Sequence, residues 1–286
     1  MAIGFVGTGR MGAMLVRALL GASQPVDEEI WASNRSPEKL ADLSTLFARL
    51  RTGTSLEVAR HCRTLFLCVR PEDTVAALEE IRPTLTPAHV LVLITNIIEL
   101  KQLAAAVPCR TAKVIPSYAQ FVRGGVSLLI PGPRCRPKEM AYLRDLFERI
   151  SRTYEVTESQ SRAATNVVSC GPAFLARFCS EWAAAAHEIP PGIPLADCEM
   201  MVWETVRAAA DLPRAGIAAR EILDEVSTPG GMTSEGLQAM DAVLPTMWRD
   251  VMRRMSEREC ELKTSVQLPT VQVAKAPRAP QAPDAA

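Results

Sequence analysis

The residues best suited to chemistry stand at the start of the chain. Gly7-Thr8-Gly9-Arg10-Met11-Gly12 follows the apolar run Ala2-Ile3-Gly4-Phe5-Val6 and leads into Ala13-Met14-Leu15-Val16-Arg17-Ala18-Leu19-Leu20. This is a strand, a glycine turn and a helix start in frame, the context in which a GxGxxG spacing has meaning. Gly7 permits the tight turn, Gly9 lets a pyrophosphate approach the backbone, and Gly12 lets helix and strand pack closely. The N–H groups at the helix start then face the phosphates. The chemistry expected is dinucleotide binding.

A second set of residues selects the dinucleotide. A site for NAD carries Asp or Glu at the end of the second strand, where it binds the ribose 2′-hydroxyl. Here that strand ends Ala32-Ser33-Asn34-Arg35-Ser36, without a carboxylate. Ser33, Asn34, Arg35 and Ser36 suit a 2′-phosphate, at about 1.5–3 kcal/mol for each hydrogen bond to a charged group. The cofactor expected is NADP(H), the alternative being that Arg35 is a solvated loop cation. Lys39 either adds to the same patch or faces water. Far along the chain, Thr228-Pro229-Gly230-Gly231 precedes the last helix. Its free N–H groups can hold a carboxylate, or the segment is a plain glycine turn and helix cap.

Other reactive residue types are set aside. The eight cysteines (62, 68, 109, 135, 170, 179, 198, 260) form no CxxC and pair with no histidine at zinc-finger spacing. They read as reduced, mostly buried thiols. Cys170 lacks a base or cation that would make it a nucleophile. His61, His89 and His187 are scattered, and no carboxylate pair or metal-ligand cluster stands out, so no metal is expected. The formal net charge is zero, which removes the electrostatic case for nucleic acid or an anionic membrane. The longest apolar run, Val90 to Ile98, is far too short to span a bilayer. With no cationic stretch before the first strand, no signal peptide is read and a cytoplasmic protein is expected.

The elements that must position these residues follow from periodicity. Residues 1–157 alternate apolar runs with helix-period segments: strands at 30–33, 64–69, 90–95, 112–115 and 126–130, and helices at 37–50, 71–81 and 99–106. Ser36 is the N-cap of the first of these helices and Pro37 its first residue. Such alternation predicts an α/β fold, a Rossmann dinucleotide-binding domain with a mostly parallel sheet covered on both faces. Residues 158–263 read as a second, all-helical domain, with helices over 158–188 (broken at Cys170-Gly171-Pro172), 194–211, 217–224 and 234–261. Its spare apolar faces, with Trp182, Trp203 and Trp248, predict a homodimer. Residues 264–286 are Pro/Ala-rich and read as a disordered tail.

With these motifs in hand, the chain resembles the pyrroline-5-carboxylate reductases over residues 1 to about 263. The resemblance lies in GFVGTGRMG at 4–12, CVRP at 68–71, VIPS at 114–117, SCGPAF at 169–174 and, most specifically, VSTPGGMTSEGL at 226–237. The stretch VPCRTAKVIPSYAQFVRGGVSLL looks most like the late-competence branch of that family. The resemblance implies an NADPH-binding Rossmann domain, a helical domain that intertwines in a dimer, and reduction of a cyclic imine carboxylate to proline. Val69, Arg70 and Pro71 match a cofactor-contacting VKP segment, with Arg in place of Lys. Thr228 and the Gly230-Gly231-Met232 backbone match the loop that holds the substrate carboxylate, and Thr233 matches the threonine near the substrate nitrogen. Three segments depart from the family pattern: Asn96-Ile97-Ile98 for Ala-Ala-Gly, Ser117-Tyr118-Ala119 in MPN-T-P, and Ser169-Cys170 in GSGPAY. All three surround the expected nicotinamide and substrate.

Two other readings compete. A β-hydroxyacid dehydrogenase has a similar plan but needs a lysine in the long helix after the Rossmann domain, and residues 151–200 contain none. A catalytically weak, NADPH-binding paralogue with a regulatory role, or a reductase of a different imine substrate, is the reading that the departures support.

Overall fold

The computed structural model describes residues 2–24, 26–266 and 268. The chain divides into two compact units, one running to Ser169 and resuming at Cys260, the other spanning Cys170–Glu259.

The first unit is a single sheet with helices on both faces. Its strands are β1 (Ala2–Val6), β2 (Glu29–Ser33), β3 (Leu50–Thr52), β4 (Thr64–Leu67), β5 (Val90–Leu93), β6 (Arg110–Ile115), β7 (Val126–Pro131) and β8 (Arg152–Glu155), in the order β3-β2-β1-β4-β5-β6-β7-β8. All neighbours pair in parallel except β6 and β7. The central strands β1, β4 and β5 are apolar on both faces because both faces are covered. Along β4 and β5, Phe66 and Val92 join one core cluster while Leu65, Leu67, Leu91 and Leu93 join the other. Phe66 stacks on Phe5 at 4.9 Å and meets Phe147 at 5.7 Å. Each such side chain stabilises the fold by about 1.5–3 kcal/mol.

The helices of this unit are α1 (Arg10–Leu20), α2 (Pro37–Leu46), α3 (Ser55–His61), α4 (Thr74–Ile81), α5 (Leu100–Ala106), α6 (Pro137–Glu148) and α7 (Ser161–Val168). The helix expected over 37–50 stops at Leu46, because Leu50–Thr52 is a strand paired with Ile30–Ala32. The short α3, absent from the sequence reading, starts at a reciprocal cap. The Thr54 hydroxyl accepts from Glu57 N–H at 3.2 Å, and Glu57 accepts from Thr54 N–H at 2.8 Å.

The second unit consists of α8 (Gly171–His187), α9 (Leu195–Asp211), α10 (Ala219–Val226) and the larger part of α11 (Met232–Ser265). It contains no strand, as the sequence predicts. Its buried cluster is small, Cys179 and Ala183 of α8 against Cys198 and Val202 of α9. Trp182, Trp203 and Trp248 stay 44%, 46% and 39% exposed, so the protomer leaves much apolar side chain uncovered.

The last helix extends beyond the expected 234–261. Leu262 and Val266 pack into a core cluster of the sheet unit, which holds the chain in order past residue 264. The expectation of a disordered tail therefore fails at 264–266; of the rest of it, 267 and 269–286 lie outside the described residues.

Candidate functional site

The strand order reverses at β1, which lies between β2 and β4. A crevice opens at the carboxyl ends of the strands at such a point. Here it is a cavity of about 700 Å³ whose lining includes Gly7, Gly9, Arg10 and Met11 from the glycine turn. Ser33, Asn34, Arg35, Ser36 and Lys39 line it from the end of β2, and Val69, Arg70 and Asp73 from the end of β4. Ile94 and Thr95 close it beyond β5.

The three glycines differ in conformation and surroundings. Gly7 has φ +96°, a left-handed conformation that few other residues adopt. A Cβ on Gly12 would lie 2.2 Å from the Gly7 carbonyl oxygen, so α1 touches the end of β1 directly. A Cβ on Gly9 would meet nothing within 4 Å. Gly9 is the N-cap of α1 and no side chain caps that helix. Open space therefore faces a helix start whose first N–H groups need an acceptor, and a pyrophosphate fits this cradle.

The β2 end does two jobs. Asn34 Nδ2 donates to Thr8 Oγ1 at 2.7 Å, and Asn34 Oδ1 accepts from Ser36 N–H at 2.9 Å. Although Asn34 lines the cavity, its amide is spent on tying this loop to the glycine turn. The cations that line this side, Arg35 and Lys39, are left to reach a 2′-phosphate, and the Arg35 side chain is 76% exposed and 2.8 Å from Asp73. The Ser36 hydroxyl makes no capping bond to α2. Of the other expected contacts, Thr8 and Gly12 are buried behind the turn and Pro71 begins a 3-10 turn; none of the three is among the residues lining the cavity.

Asp73 and Thr95 are not among the site residues expected from the sequence, whereas Asn96 is expected nearby as part of the altered segment 96–98. Asp73 stands only two residues beyond Pro71, inside VRPED, but its relation to Arg35 exists only in space. Asn96 fixes the loop after β5: its Nδ2 donates to Thr165 Oγ1 at 2.7 Å and to the Ser161 carbonyl at 3.2 Å. A small residue at this position has no such tether to α7.

The residues matched to the substrate loop come together in the second unit. Gly231 N–H donates to the Thr228 carbonyl at 2.9 Å, Gly230 has φ +72°, and α11 begins at Met232. Met232 and Thr233 are exposed in the protomer. The segment is thus a tight turn with a helix start behind it, which both sequence alternatives require.

No disulfide joins the cysteines among the described residues. Burial pushes the Cys62 thiol up to about 12 and Cys109 to about 11, against thiolate chemistry at either. Tyr118 and Phe121, in the altered segment after β6, stack at 6.0 Å and are 62% and 61% exposed. No helix among the described residues is long and apolar enough to cross a membrane.

Comparison with known proteins agrees with this picture. Residues 158–262 match the family described as pyrroline-5-carboxylate reductase dimerisation, and residues 2–97 the family described as NADP oxidoreductase coenzyme F420-dependent. The chain is 29% identical over 255 residues to ComE operon protein 4 of Bacillus subtilis (strain 168), covering 88% of this chain and 93% of that protein. It is 26% identical over 242 residues to pyrroline-5-carboxylate reductase of Escherichia coli (strain K12), covering 84% and 89%. The Plasmodium falciparum pyrroline carboxylate reductase with NADP bound shares the fold at a TM-score of 0.78 and 21% identity, over 93% of this chain and 98% of that one. The resemblance carried by the motifs, including its late-competence flavour, is borne out. So are the fold class, the NAD(P)H-dependent oxidoreductase class and the NADP(H) cofactor.

Proposed function

We propose that this protein is an NADPH-dependent reductase of a cyclic imine carboxylate, with pyrroline-5-carboxylate reduced to proline, and that it works as a homodimer. The observation that carries the reading is the cleft at the β1 switch point, with an open glycine cradle and Arg35 where an NAD site has an acid.

The residues present fit the cofactor. Gly9 and the first N–H groups of α1 would hold the pyrophosphate, Arg35 and Ser36 the 2′-phosphate, and Val69 and Arg70 the segment between. When bound, NADPH supplies the hydride that the imine carbon accepts. Orientation is the protein's share of that step. The turn at Thr228, Gly230, Gly231 and Met232 offers backbone N–H groups to a substrate carboxylate at the start of α11. The Thr233 hydroxyl would hydrogen-bond the ring nitrogen as it takes up a proton. The uncovered apolar faces of α8, α9 and α11 are what a second copy would bury.

A second reading, a regulatory paralogue that binds NADPH but turns over slowly, draws on the exposed Tyr118–Phe121 pair and on Asn96. Turnover decides between them. Purified protein with NADPH and pyrroline-5-carboxylate should oxidise the cofactor, faster than with NADH; binding without oxidation would favour the paralogue.

A further inference from the structure

Arg35 and Asp73 belong to opposite rims of the cleft. Arg35 follows β2, Asp73 stands just before α4 beyond β4, and β1 with its glycine turn lies between those strands. Arg35 Nη2 is 2.8 Å from Asp73 Oδ1, and Arg70 Nε is 3.1 Å from Asp73 Oδ2. Each carboxylate oxygen is thus held by one arginine, and the pair closes over the side of the cavity where the cation expected to read a 2′-phosphate stands.

Two features set the roles within this trio. Asp73 is the N-cap of α4, a position where aspartate ordinarily accepts from the helix N–H groups. It makes no such bond, and its oxygens go to the arginines instead. Its side chain is only 20% exposed, whereas Arg35 is 76% exposed on a long flexible stem. Partial burial would raise the Asp73 carboxyl, but the hydrogen bonds from Arg35 and then Arg70 outweigh it and keep the carboxyl below its ordinary value. The carboxylate is therefore a fixed, ionised anion, and Arg35 is the member free to exchange partners. A phosphate dianion brought to Arg35 meets this carboxylate on the same guanidinium, and the like charges repel.

We propose that Asp73 is a specificity-determining residue of the cofactor site, a built-in competitor for Arg35 that weakens binding of the 2′-phosphorylated cofactor and so sets how strongly NADPH is preferred over NADH. This rests on the reading of the cleft as an NADP(H) site. Arg70 keeps Asp73 in place when Arg35 turns to the phosphate. A 2′-hydroxyl carries no charge for this carboxylate to repel, so NADH meets no comparable penalty.

Calorimetric titration of the full-length protein with NADPH and with NADH tests it, on the wild type, Asp73→Asn and Asp73→Ser. The serine variant keeps a helix cap should the asparagine variant fold poorly. The expected result is NADPH bound about threefold to fivefold more tightly by both variants, the scale of a partly exposed ion pair. NADH should change by less than about twofold, and the NADPH gain should shrink in high salt. Equal tightening of both cofactors would reduce the pair to a steric strap and overturn the proposal. Weaker NADPH binding would make Asp73 a support for Arg35 and overturn it as well, as would no change. A wild type that binds neither cofactor would remove the cofactor reading and this inference together; a wild type that binds NADPH, with unchanged variants, removes the inference alone.

Discussion

The Lys113 ammonium, 1% exposed within β6, lies 2.5 Å from the Glu158 carboxylate, which also accepts from Leu100 N–H at 2.8 Å. One carboxylate thus joins β6, the start of α5 and the segment before α7. Burial lowers the Lys113 pKa against the opposing pull of Glu158, so the cation depends on its partner. Glu158→Ala leaves that charge buried and should cost about 3–5 kcal/mol in urea unfolding. Adding Lys113→Met to the same chain should recover most of the loss, because no buried charge then remains. A double variant as unstable as the single one would contradict this.

Gly9 and Gly12 separate binding from folding. Gly9→Ala meets open space and should unfold at a midpoint near that of the wild type. Its NADPH affinity should fall at least about tenfold, because the methyl group occupies the phosphate approach. Gly12→Ala drives a methyl group into the Gly7 carbonyl and should lose several kcal/mol of stability, about 1–3 or more from overpacking. Thermal melting beside a binding titration distinguishes the two.

Much of this was legible in the sequence because each signal was local. The glycine turn, the absence of an acid after β2 and the TPGG turn before α11 are each read within a few neighbouring residues. What was missed is either short or spatial. β3 has three residues and α3 has seven, too few for periodicity to register, although Thr54 and Glu57 do carry a capping-box spacing. Asp73 and Arg35 are far apart in sequence and meet only because β2 and β4 flank β1. Composition alone places Val266 in the tail, yet the apolar surface of the sheet unit buries it.

Arg35 carries the choice of cofactor. Arg35→Ala should weaken NADPH binding by about 1.5–3 kcal/mol, roughly tenfold to a hundredfold, and leave NADH nearly unchanged. Parallel titrations with both cofactors check it. Equal weakening of the two would mean that Arg35 does not read the 2′-phosphate.

Acid sensitivity should trace in part to Glu139. A hydrogen bond from Arg136, 2.7 Å away, is the main reason its pKa is lowered from 4.5, outweighing desolvation, and Arg110 lies 3.5 Å away. A lowered carboxyl pKa means that the unfolded chain binds protons first as the pH falls. The stabilisation is whole above pH 4.5 and is lost as the pH drops through the lower folded value. Glu139→Gln should be less stable at neutral pH and show a flatter loss of stability below that point. An unchanged slope in acid would exclude Glu139 as a contributor.

NADPH oxidation with pyrroline-5-carboxylate, wild type against Thr233→Ala, decides whether this protein is an imine reductase. The wild type should turn over at an ordinary enzyme rate, about 10 s⁻¹, and prefer NADPH to NADH. In Thr233→Ala, kcat should be lower by about a hundredfold, with NADPH affinity unchanged. A wild type that binds NADPH tightly yet oxidises none of it with this imine would show that pyrroline-5-carboxylate reduction is not its activity.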